Sequence, residues 1–257
     1  MPKHQHVVYP SLENKTVFIT GGASGIGQSL VEAFYQQGAH VAFVDLLEKQ
    51  GNDLVERLRE EKNGKVFFSC LDVCDHQGLR EAIRESQEQL GSIDVLVNNV
   101  ANDNRHHTPE TSVEDWNHCL NVNLNASFYA AQAVYPMMKS KGYGSIVNIS
   151  SINALWGPDN MPGYVTAKAG ILGMTKALAR EFGKDGIRVN AISPGWVKTE
   201  RQVRLWLTPE AEVEWKRSLC IKEMIEPEEV ASLALFLSSD QAKKITSQNH
   251  IIDCGRI

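Results

Sequence analysis

The feature of this sequence that most constrains its fold is a regular alternation of short apolar runs with longer amphipathic stretches. The runs are rich in β-branched residues, which favour strands, and the stretches carry apolar residues at helical spacing. This alternation is typical of a parallel sheet, because each parallel crossover needs a long connection that packs on the sheet. The predicted strands are Thr16–Thr20, Val41–Asp45, Val66–Cys70, Asp94–Asn98, Ser145–Ser150, Arg188–Ser193 and His250–Asp253.

The stretches between these strands predict helices on both faces of the sheet. Their approximate bounds are Ile26–Gln37, Glu48–Glu61, Gln77–Leu90, Ser112–Ser140, Gly163–Phe182 and Pro227–Ser238. A chain of 257 residues is long enough for one such sheet, and no linker or change in composition divides it. We therefore predict a single α/β domain over residues 1–257, with a Rossmann-type doubly wound parallel sheet of about seven strands.

Composition and charge exclude several classes of protein. The net charge of −5 comes without a cluster of basic residues, so we expect no nucleic-acid partner. No apolar run approaches the roughly 18 residues of a membrane span, and the N-terminus lacks the apolar core of a signal peptide. The five cysteines form no CxxC pair and the histidines show no metal-ligand spacing, which argues against disulfides and metals. We expect a soluble cytoplasmic protein with no membrane contact and no metal.

A glycine-rich stretch, TGGASGIG at residues 20–27, joins the first predicted strand to the first predicted helix. Glycines there permit a tight turn and let backbone N–H groups at the helix N-terminus approach a pyrophosphate. The expected cofactor contacts are Gly21, Ser24, Gly25, Ile26 and Gly27. A plain strand-to-helix turn is the alternative, since glycine-rich loops are common.

The second predicted strand ends at Asp45. In Rossmann units an acidic residue at this place accepts hydrogen bonds from the adenosine ribose, and its charge repels a 2′-phosphate. We therefore expect NAD rather than NADP as the cofactor, although the nearby Lys49 could weaken that preference. Asp72 with Val73 and the pair Asn98-Asn99 end the next two strands. They are expected to line the adenine side of the same crevice, or else only to cap those strands.

Tyr164 and Lys168 lie four residues apart in a predicted helix, so both side chains emerge from one face. The pKa of a free tyrosine is near 10, too high for a base, but a neighbouring ammonium group and a positive nicotinamide ring would favour the phenolate. Tyr164 would then take the proton of a substrate hydroxyl while hydride leaves the same carbon for the cofactor. Taken alone, such a pair is more often a solvated helix contact.

Seven motifs occur in a characteristic order and spacing: TGGASGIG at residues 20–27, Asp72-Val73, Asn98-Asn99, Asn123, Ser151, Tyr164-x-x-x-Lys168 and Pro194-Gly195. Together they resemble the short-chain dehydrogenase/reductase family over nearly the whole chain. The resemblance implies an NAD-dependent enzyme on a seven-stranded Rossmann fold. The chain departs from the family where Val100-Ala101 replaces the common Ala-Gly, which predicts a slightly shifted backbone beside the nicotinamide ribose.

The resemblance also assigns roles to individual residues. Ser151, at the end of the fifth strand, would hold the reacting oxygen beside the catalytic tyrosine, and strand alternation turns Ser150 away. Asn123 would hold a water that relays protons from the lysine, and Asn121 is the weaker candidate. The stretch after the sixth strand is similar to the family's P-G-x-V-x-T, which holds the carboxamide of the cofactor. Its residues here are Pro194, Gly195, Val197 and Thr199.

The segment Thr199–Glu223 is longer than a turn and contains Trp206 and Trp215. An insertion at the carboxyl end of a parallel strand is placed to cover a ligand, so we predict a substrate lid. The alternative is an extra helix pair that only packs on the core. Nearby loops offer many hydrogen-bonding groups and some aromatic faces, which suits a polyhydroxylated small molecule. The expected substrate contacts are Asn102, Asn153, Trp196 and Gln202.

Five further stretches carry a closer resemblance: Tyr9–Leu12, Asn102–His106, Val197–Gln202, Thr208–Glu210 and Ile252–Gly255. They look like bacterial aldose dehydrogenases of carbohydrate metabolism, particularly the D-xylose 1-dehydrogenases. This implies that the C1 hydroxyl of a pentose or similar sugar gives its proton to the tyrosine and its hydride to NAD, leaving a lactone. Open alternatives are a dehydrogenase acting on a polyol or other secondary alcohol or ketone and, more distantly, a non-catalytic NAD-binding sensor.

The apolar segments Pro227–Ser238 and Asn249–Cys254 resemble surfaces through which family members form tetramers about two-fold axes. A homotetramer is therefore expected. The sequence leaves open whether Arg256-Ile257 reaches the site of a neighbouring subunit.

Overall fold

The computed structural model describes residues 7–61 and 63–257. Its strands are β1 (Thr16–Thr20), β2 (His40–Asp45), β3 (Val66–Cys70), β4 (Val95–Asn98), β5 (Gly144–Ile149), β6 (Ile187–Pro194) and β7 (Asn249–Ile252). They form one parallel sheet in the order β3-β2-β1-β4-β5-β6-β7. Each strand lies within one residue of its predicted bounds at both ends. The predicted single-domain α/β fold with a doubly wound sheet is confirmed.

Helices cover both faces of the sheet. They are α1 (Gly25–Gln36), α2 (Glu48–Glu61), α3 (His76–Leu90), α4 (Val113–Leu120), α5 (Ala126–Lys141), α6 (Asn153–Trp156), α7 (Pro162–Phe182), α8 (Glu200–Trp206), α9 (Pro209–Ser218) and α10 (Pro227–Ser238). The predicted bounds of α2 and α10 agree with the structure, and those of α1, α3 and α7 differ by one residue. Within residues 7–61 and 63–257, no helix has both the length and the apolar character needed to cross a membrane.

The helix predicted over Ser112–Ser140 is present over Val113–Lys141, with bounds that differ by one residue, but a π-helical turn interrupts its regular α-helical hydrogen bonding. The structure has α4, then a π-helical turn over Asn121–Asn125, then α5. The Asn123 side chain donates from Nδ2 to the backbone oxygen of Cys119 at 3.0 Å, so it competes with the regular backbone ladder. Turns of this kind are frequent at functional sites, and this one is hydrogen-bonded to the loop after β4.

The strand order reverses at β1, because β2 and β4 lie on either side of it. The loops that follow β1 and β4 therefore diverge and leave a crevice at the carboxyl ends of the strands, where open α/β sheets bind ligands. Every residue of β1 is buried. Val17 and Ile19 belong to the core on one face of the sheet, and Phe18 to the core on the other. The two cores thus fix the strand from which the crevice opens.

The segment predicted as a lid forms α8 and α9. A parallel bridge pairs Val197 with Ile225, where the segment leaves and rejoins the sheet domain. The structure describes α8 and α9 in full, and neither helix has a buried residue, whereas α10 buries one face. A helix pair that served only to pack on the core would bury an apolar face. The exposure of α8 and α9 therefore favours a lid over a helix pair that only packs on the core.

Candidate active site

Tyr164 and Lys168 lie one turn apart near the start of α7, and both side chains are buried. The Lys168 Nζ lies 5.7 Å from the centre of the Tyr164 ring. It donates a hydrogen bond to the backbone oxygen of Ile149 at 2.9 Å. Because Ile149 is the last residue of β5, this bond holds the ammonium group at the carboxyl end of the sheet, beside the crevice.

Burial changes the acid–base properties of both groups. It raises the pKa of the Tyr164 hydroxyl to about 12, with the charge of Asp103 adding to the rise and a hydrogen bond with Ser151 opposing it. Burial lowers the pKa of the Lys168 ammonium to about 8. In the protein chain itself, burial therefore outweighs the lowering of the tyrosine pKa that the sequence led us to expect. A cationic ring entering the cavity would lower it again.

Ser151 directly follows β5, and its side chain lies on the same side of the sheet end as Tyr164. Its Oγ accepts a hydrogen bond from the backbone N–H of Asn153 at 3.1 Å. Ser150 points elsewhere, because its Oγ donates to the backbone oxygen of Lys168 at 2.8 Å inside the core. Of the two serines, the structure thus directs Ser151 to the tyrosine hydroxyl.

Tyr164, Lys168 and Ser151 line one cavity of about 620 Å³ at the carboxyl ends of the strands. A volume of this size is typical of small-molecule and cofactor sites. The predicted site residues that line it are Ile26, Asn99, Ser151, Asn153, Tyr164, Lys168, Pro194, Gly195, Trp196, Val197, Thr199 and Gln202. The predicted site residues that lie outside its lining are Gly21, Ser24, Gly25, Gly27, Asp45, Asp72, Val73, Asn102 and Asn123.

Asn123 and Asn102 line a second cavity of about 400 Å³ instead. The Asn123 side chain is fully buried. Its Oδ1 accepts from the backbone N–H of Asn102 at 2.9 Å, and its Nδ2 donates to the backbone oxygen of the same residue at 3.1 Å. The π-helical turn therefore fixes the loop after β4, and in this loop it is Asp103, not Asn102, that borders the main cavity.

Close backbone contacts shape the glycine loop between β1 and α1. A Cβ atom on Gly27 would lie 1.7 Å from the backbone oxygen of Gly21, and one on Gly25 would lie 3.1 Å from Cγ2 of Thr199. Ser24 precedes α1 without capping it through its side chain. The first N–H groups of a helix have no acceptor within it. The loop is thus a backbone cradle that fits the pyrophosphate of a dinucleotide.

Asp45 ends β2 beside this cradle. Its carboxylate accepts hydrogen bonds from the N–H groups of Ala23 at 2.9 Å and Leu47 at 3.0 Å. A carboxylate offers about four acceptor sites, so it retains capacity for ribose hydroxyls. Lys49 forms an ion pair with Asp53 at 2.6 Å. Lys49 therefore has an acidic partner within its own helix.

The residues that end β3 and β4 differ in what they offer a ligand. Asp72 accepts the N–H of Cys74 at 2.9 Å, and the Val73 side chain is buried in the core, so only its backbone could meet a ligand. Asn99 lines the main cavity, and its Nδ2 donates to the backbone oxygen of Gly21 at 2.9 Å. Asn99 thereby joins the loops that follow β1 and β4.

Polar contacts hold the first lid helix over the cavity. Trp196 Nε1 donates to Gln202 Oε1 at 2.8 Å, and Gln202 Nε2 donates to Asp103 Oδ2 at 2.7 Å. Arg201 forms an ion pair with the same carboxylate at 3.3 Å. Thr199 caps α8 by accepting the N–H of Gln202, which leaves its hydroxyl hydrogen for a ligand. The lid and the loop after β4 therefore form one polar wall.

Other residues of the cavity wall were not among the predicted contacts. Those with charged or aromatic side chains include Asp103, Arg105, Trp156, Asp159, Arg201, Trp206, Trp215 and Arg256. The sequence predicted the two lid tryptophans only as parts of a lid, and their aromatic character is the signal that could have marked them. The sequence raised Arg256 only as a residue that could reach a neighbouring subunit's site, and the structure places it in the cavity of its own chain.

A family model described as enoyl-(acyl carrier protein) reductase matches residues 21–256. The chain belongs to the short-chain dehydrogenase/reductase family. It is 44% identical to the probable galactose dehydrogenase GalD of Rhizobium meliloti over 96% of each chain. It is equally identical to the D-xylose 1-dehydrogenase of Caulobacter vibrioides, over 96% of this chain and 98% of that one. Its fold is similar to that in the crystal structure of 3-oxoacyl-[acyl-carrier protein] reductase from Brucella melitensis, with a TM-score of 0.91 and 29% sequence identity. The match covers 99% of this chain and 100% of the other. The predicted resemblance is confirmed.

This short-chain dehydrogenase/reductase keeps the loop after β4 tied to β1 despite its departure from the common family sequence. The backbone N–H groups of Asn99 and Val100 donate to Oγ1 of Thr20 at 3.0 and 3.2 Å. A Cβ atom on Gly21 would lie 2.9 Å from Cγ2 of Val100, so the valine packs directly on the glycine loop. Val100 therefore fills space beside the cradle, and the loop after β4 keeps its backbone hydrogen bonds to Thr20.

Proposed function

We propose that this enzyme oxidises the anomeric hydroxyl of a pentose or similar aldose to the lactone, with NAD as the hydride acceptor. The observation that carries the proposal is that Tyr164, Lys168 and Ser151 meet in one cavity whose other walls are polar and aromatic. Such walls suit a polyhydroxylated ligand, since hydroxyls need hydrogen-bond partners and sugar rings pack on aromatic faces. The names of the two relatives, a galactose and a D-xylose dehydrogenase, support a sugar substrate.

In this proposal each side chain at the reacting end of the cavity has a separate role. Ser151 holds the anomeric hydroxyl, and Tyr164 accepts its proton as the general base. The ammonium group of Lys168 stabilises the phenolate that this requires. Asn123 belongs to the proposed catalytic set through the resemblance, and in this chain it positions the loop after β4. Bound NAD⁺ supplies the acceptor for the hydride that leaves C1.

The proposed cofactor contacts follow the cradle and the crevice. The backbone cradle would hold the pyrophosphate, the carboxylate that ends β2 would hold the ribose, and the segment after β6 would hold the carboxamide. The residues are Gly21, Ser24, Gly25, Ile26, Gly27, Asp45, Asp72, Val73, Asn99, Tyr164, Lys168, Pro194, Gly195, Val197 and Thr199. The proposed substrate contacts are Asn153, Trp196, Gln202 and Asp103. Asp103 is proposed in place of the expected Asn102, because Asn102 lines the second cavity.

A substrate panel tests the proposal directly. We expect NADH absorbance to grow when the protein is mixed with NAD⁺ and one or more of D-xylose, L-arabinose, D-galactose, L-fucose and L-rhamnose. The lactone should appear in equal amount and hydrolyse to the aldonic acid. A polyol serves as the control. Turnover of the polyol with no aldose turning over would contradict the sugar assignment while keeping the catalytic residues.

The pH dependence of oxidation follows from the two pKa shifts. The active form has Tyr164 ionised and Lys168 charged, and their pKa values are raised to about 12 and lowered to about 8. The fraction in this form rises about tenfold per pH unit up to about pH 8, and above it each gain in phenolate is offset by a loss of ammonium. We therefore expect kcat/KM for the aldose to rise with pH and level off near pH 8. In the Lys168→Met variant this break should vanish, and a break at the same pH would contradict the assignment.

We also propose that the enzyme is a homotetramer. Strand β7 is at the edge of the sheet, and its Ile251 side chain is 46% exposed, so an apolar surface is available there. Two-fold contacts between identical copies would cover such a surface. Sedimentation equilibrium should give four times the mass of one chain, and the mass of a single chain at micromolar concentration would contradict the proposal.

A further inference from the structure

Arg256 lines the main cavity of its own chain although it is the penultimate residue. The Asp253 carboxylate accepts the backbone N–H groups of Gly255, Arg256 and Ile257 at 2.9, 3.1 and 2.9 Å. The backbone oxygen of Cys254 accepts the N–H of Cys220, two residues after the second lid helix, at 2.9 Å. Residues 253–257 therefore form a hydrogen-bonded loop that returns to the lid.

The guanidinium group of Arg256 is held between two tryptophans. Its central carbon lies 3.8 Å from the ring centre of Trp215 on the lid and 4.0 Å from that of Trp156 on α6. Contacts at this distance are cation–π interactions and leave the N–H groups in the plane of the guanidinium available for hydrogen bonds. The sandwich thus fixes the orientation of the group at the cavity wall without using its donors.

Three arginines line this cavity, and they differ in their polar partners. Arg201 forms an ion pair with Asp103. Arg105 donates to Sδ of Met161 at 2.9 Å and lies over the Trp206 ring. Among residues 7–61 and 63–257, no hydrogen bond or ion pair of the Arg256 side chain is found. Glu214 and Asp253 act on its charge without hydrogen bonding to it, so its N–H donors are available to a ligand in the cavity that it lines.

We infer that Arg256 is a substrate-contacting residue that determines specificity, donating hydrogen bonds to a pair of oxygens on the sugar other than the anomeric one. Arginine presents two parallel N–H groups, which match a carboxylate or two neighbouring hydroxyls. The inference rests on the proposed function, since the reacting oxygen is assigned to Tyr164 and Ser151. It extends that function, because it names the residue that recognises the part of the sugar away from the anomeric carbon.

The test compares Arg256→Gln and Arg256→Lys with the parent enzyme at saturating NAD⁺. Both variants should lower kcat/KM for the preferred aldose by roughly 10- to 100-fold, mainly through a higher KM, because a charged hydrogen-bond pair is lost. The KM for NAD⁺ and the melting temperature should stay near the parent values. Arg217→Gln is the matched control, because it removes the same charge from an exposed position on α9 outside the cavity lining.

A substrate series identifies the oxygens. D-galactose, D-fucose, L-arabinose and D-galacturonate share their ring configuration and differ only in the substituent on C5. If Arg256 contacts the hydroxyl on this substituent, D-fucose and L-arabinose should be poorer substrates than D-galactose for the parent enzyme and no poorer for Arg256→Gln. If it contacts ring hydroxyls, the variants should lose activity equally on all the neutral sugars. If it contacts a carboxylate, the parent enzyme should prefer D-galacturonate and the variants should lose that preference.

Two results would overturn the inference while leaving the proposed function intact. The first is a kcat/KM of Arg256→Gln within twofold of the parent on every sugar that the enzyme oxidises. The second is full recovery in Arg256→Lys, because a lysine keeps the cation between the indoles and loses the two parallel donors. That recovery would show that the side chain only positions the lid. If the parent enzyme oxidises no aldose, neutral or acidic, the proposed function fails and the inference with it.

Discussion

Replacing Tyr164 by phenylalanine is expected to lower kcat for aldose oxidation by roughly 10²- to 10⁴-fold, the contribution of a positioned general base. Phenylalanine fills the same space without the phenolate oxygen that accepts the sugar's proton in the proposed reaction. The side chain is buried beside Ser151 and Lys168, and no other tyrosine lines the main cavity within the residues that the structure describes. NADH formation at saturating aldose measures the loss.

Binding of NAD⁺ separates this effect from a loss of structure. In the Tyr164→Phe variant the Kd for NAD⁺, measured by calorimetry, should stay within a few-fold of the parent value, because the pyrophosphate and the adenosine ribose are held elsewhere. Tyr135→Phe is the matched control. It removes a hydroxyl on α5 that donates a hydrogen bond to Asp185 at 2.7 Å. Tyr135 lines neither cavity, so the turnover of this variant should equal that of the parent enzyme. Full turnover in Tyr164→Phe would support the alternative of a non-catalytic NAD-binding sensor.

The fold was predictable because the strong local signals agree with one another. Each strand of the sheet is a short apolar run between two polar or glycine-containing boundaries, so its ends were placed within one residue. The π-helical turn over Asn121–Asn125 was missed within the predicted helix Ser112–Ser140, because no break in apolar periodicity warns of it. There the side chain of Asn123 bonds to a backbone oxygen four residues earlier, and a pattern of apolar residues does not register such a bond.

The proximity of the proposed catalytic residues was predictable for a different reason. Tyr164 and Lys168 are four residues apart on one helix, and Ser151 follows a strand, so local geometry brings them to the same edge of the sheet. The substrate contacts depend on how separate loops meet. Asn102 was expected in the main cavity, yet its backbone is fixed by Asn123 and its neighbours face the site instead. Long-range placement of this kind is not encoded in spacing along the chain.

The same distinction between local and long-range information applies to the proposed preference for NAD. Asp45 was chosen because it ends the second strand, which is a local argument. Lys49, which could weaken that preference, forms an exposed ion pair with Asp53 one turn later. The carboxylate of Asp45 also accepts the N–H of Ala23 in the glycine loop, so it is fixed beside the cradle. A 2′-phosphate on the adenosine ribose would therefore meet a positioned negative charge.

Asp45→Asn removes this charge and keeps the size of the side chain. At an effective dielectric constant of about 20, two unit charges 4 Å apart repel by about 4 kcal/mol, and partial exposure to water reduces that figure. We therefore expect the ratio of kcat/KM with NAD⁺ to that with NADP⁺ to fall by roughly 10²- to 10³-fold, through better use of NADP⁺ and poorer ribose binding of NAD⁺. Initial rates with both cofactors at a fixed aldose concentration measure the ratio.

A matched variant shows whether the effect is local. Glu56→Gln removes one negative charge from an exposed position on α2, and its cofactor ratio should equal that of the parent enzyme. An equal shift in both variants would mean that the net charge of this side of the molecule, rather than Asp45, repels the phosphate. An unchanged ratio in Asp45→Asn would remove the assignment of Asp45 to the ribose, because a charge fixed beside the 2′ position must discriminate against a phosphate there.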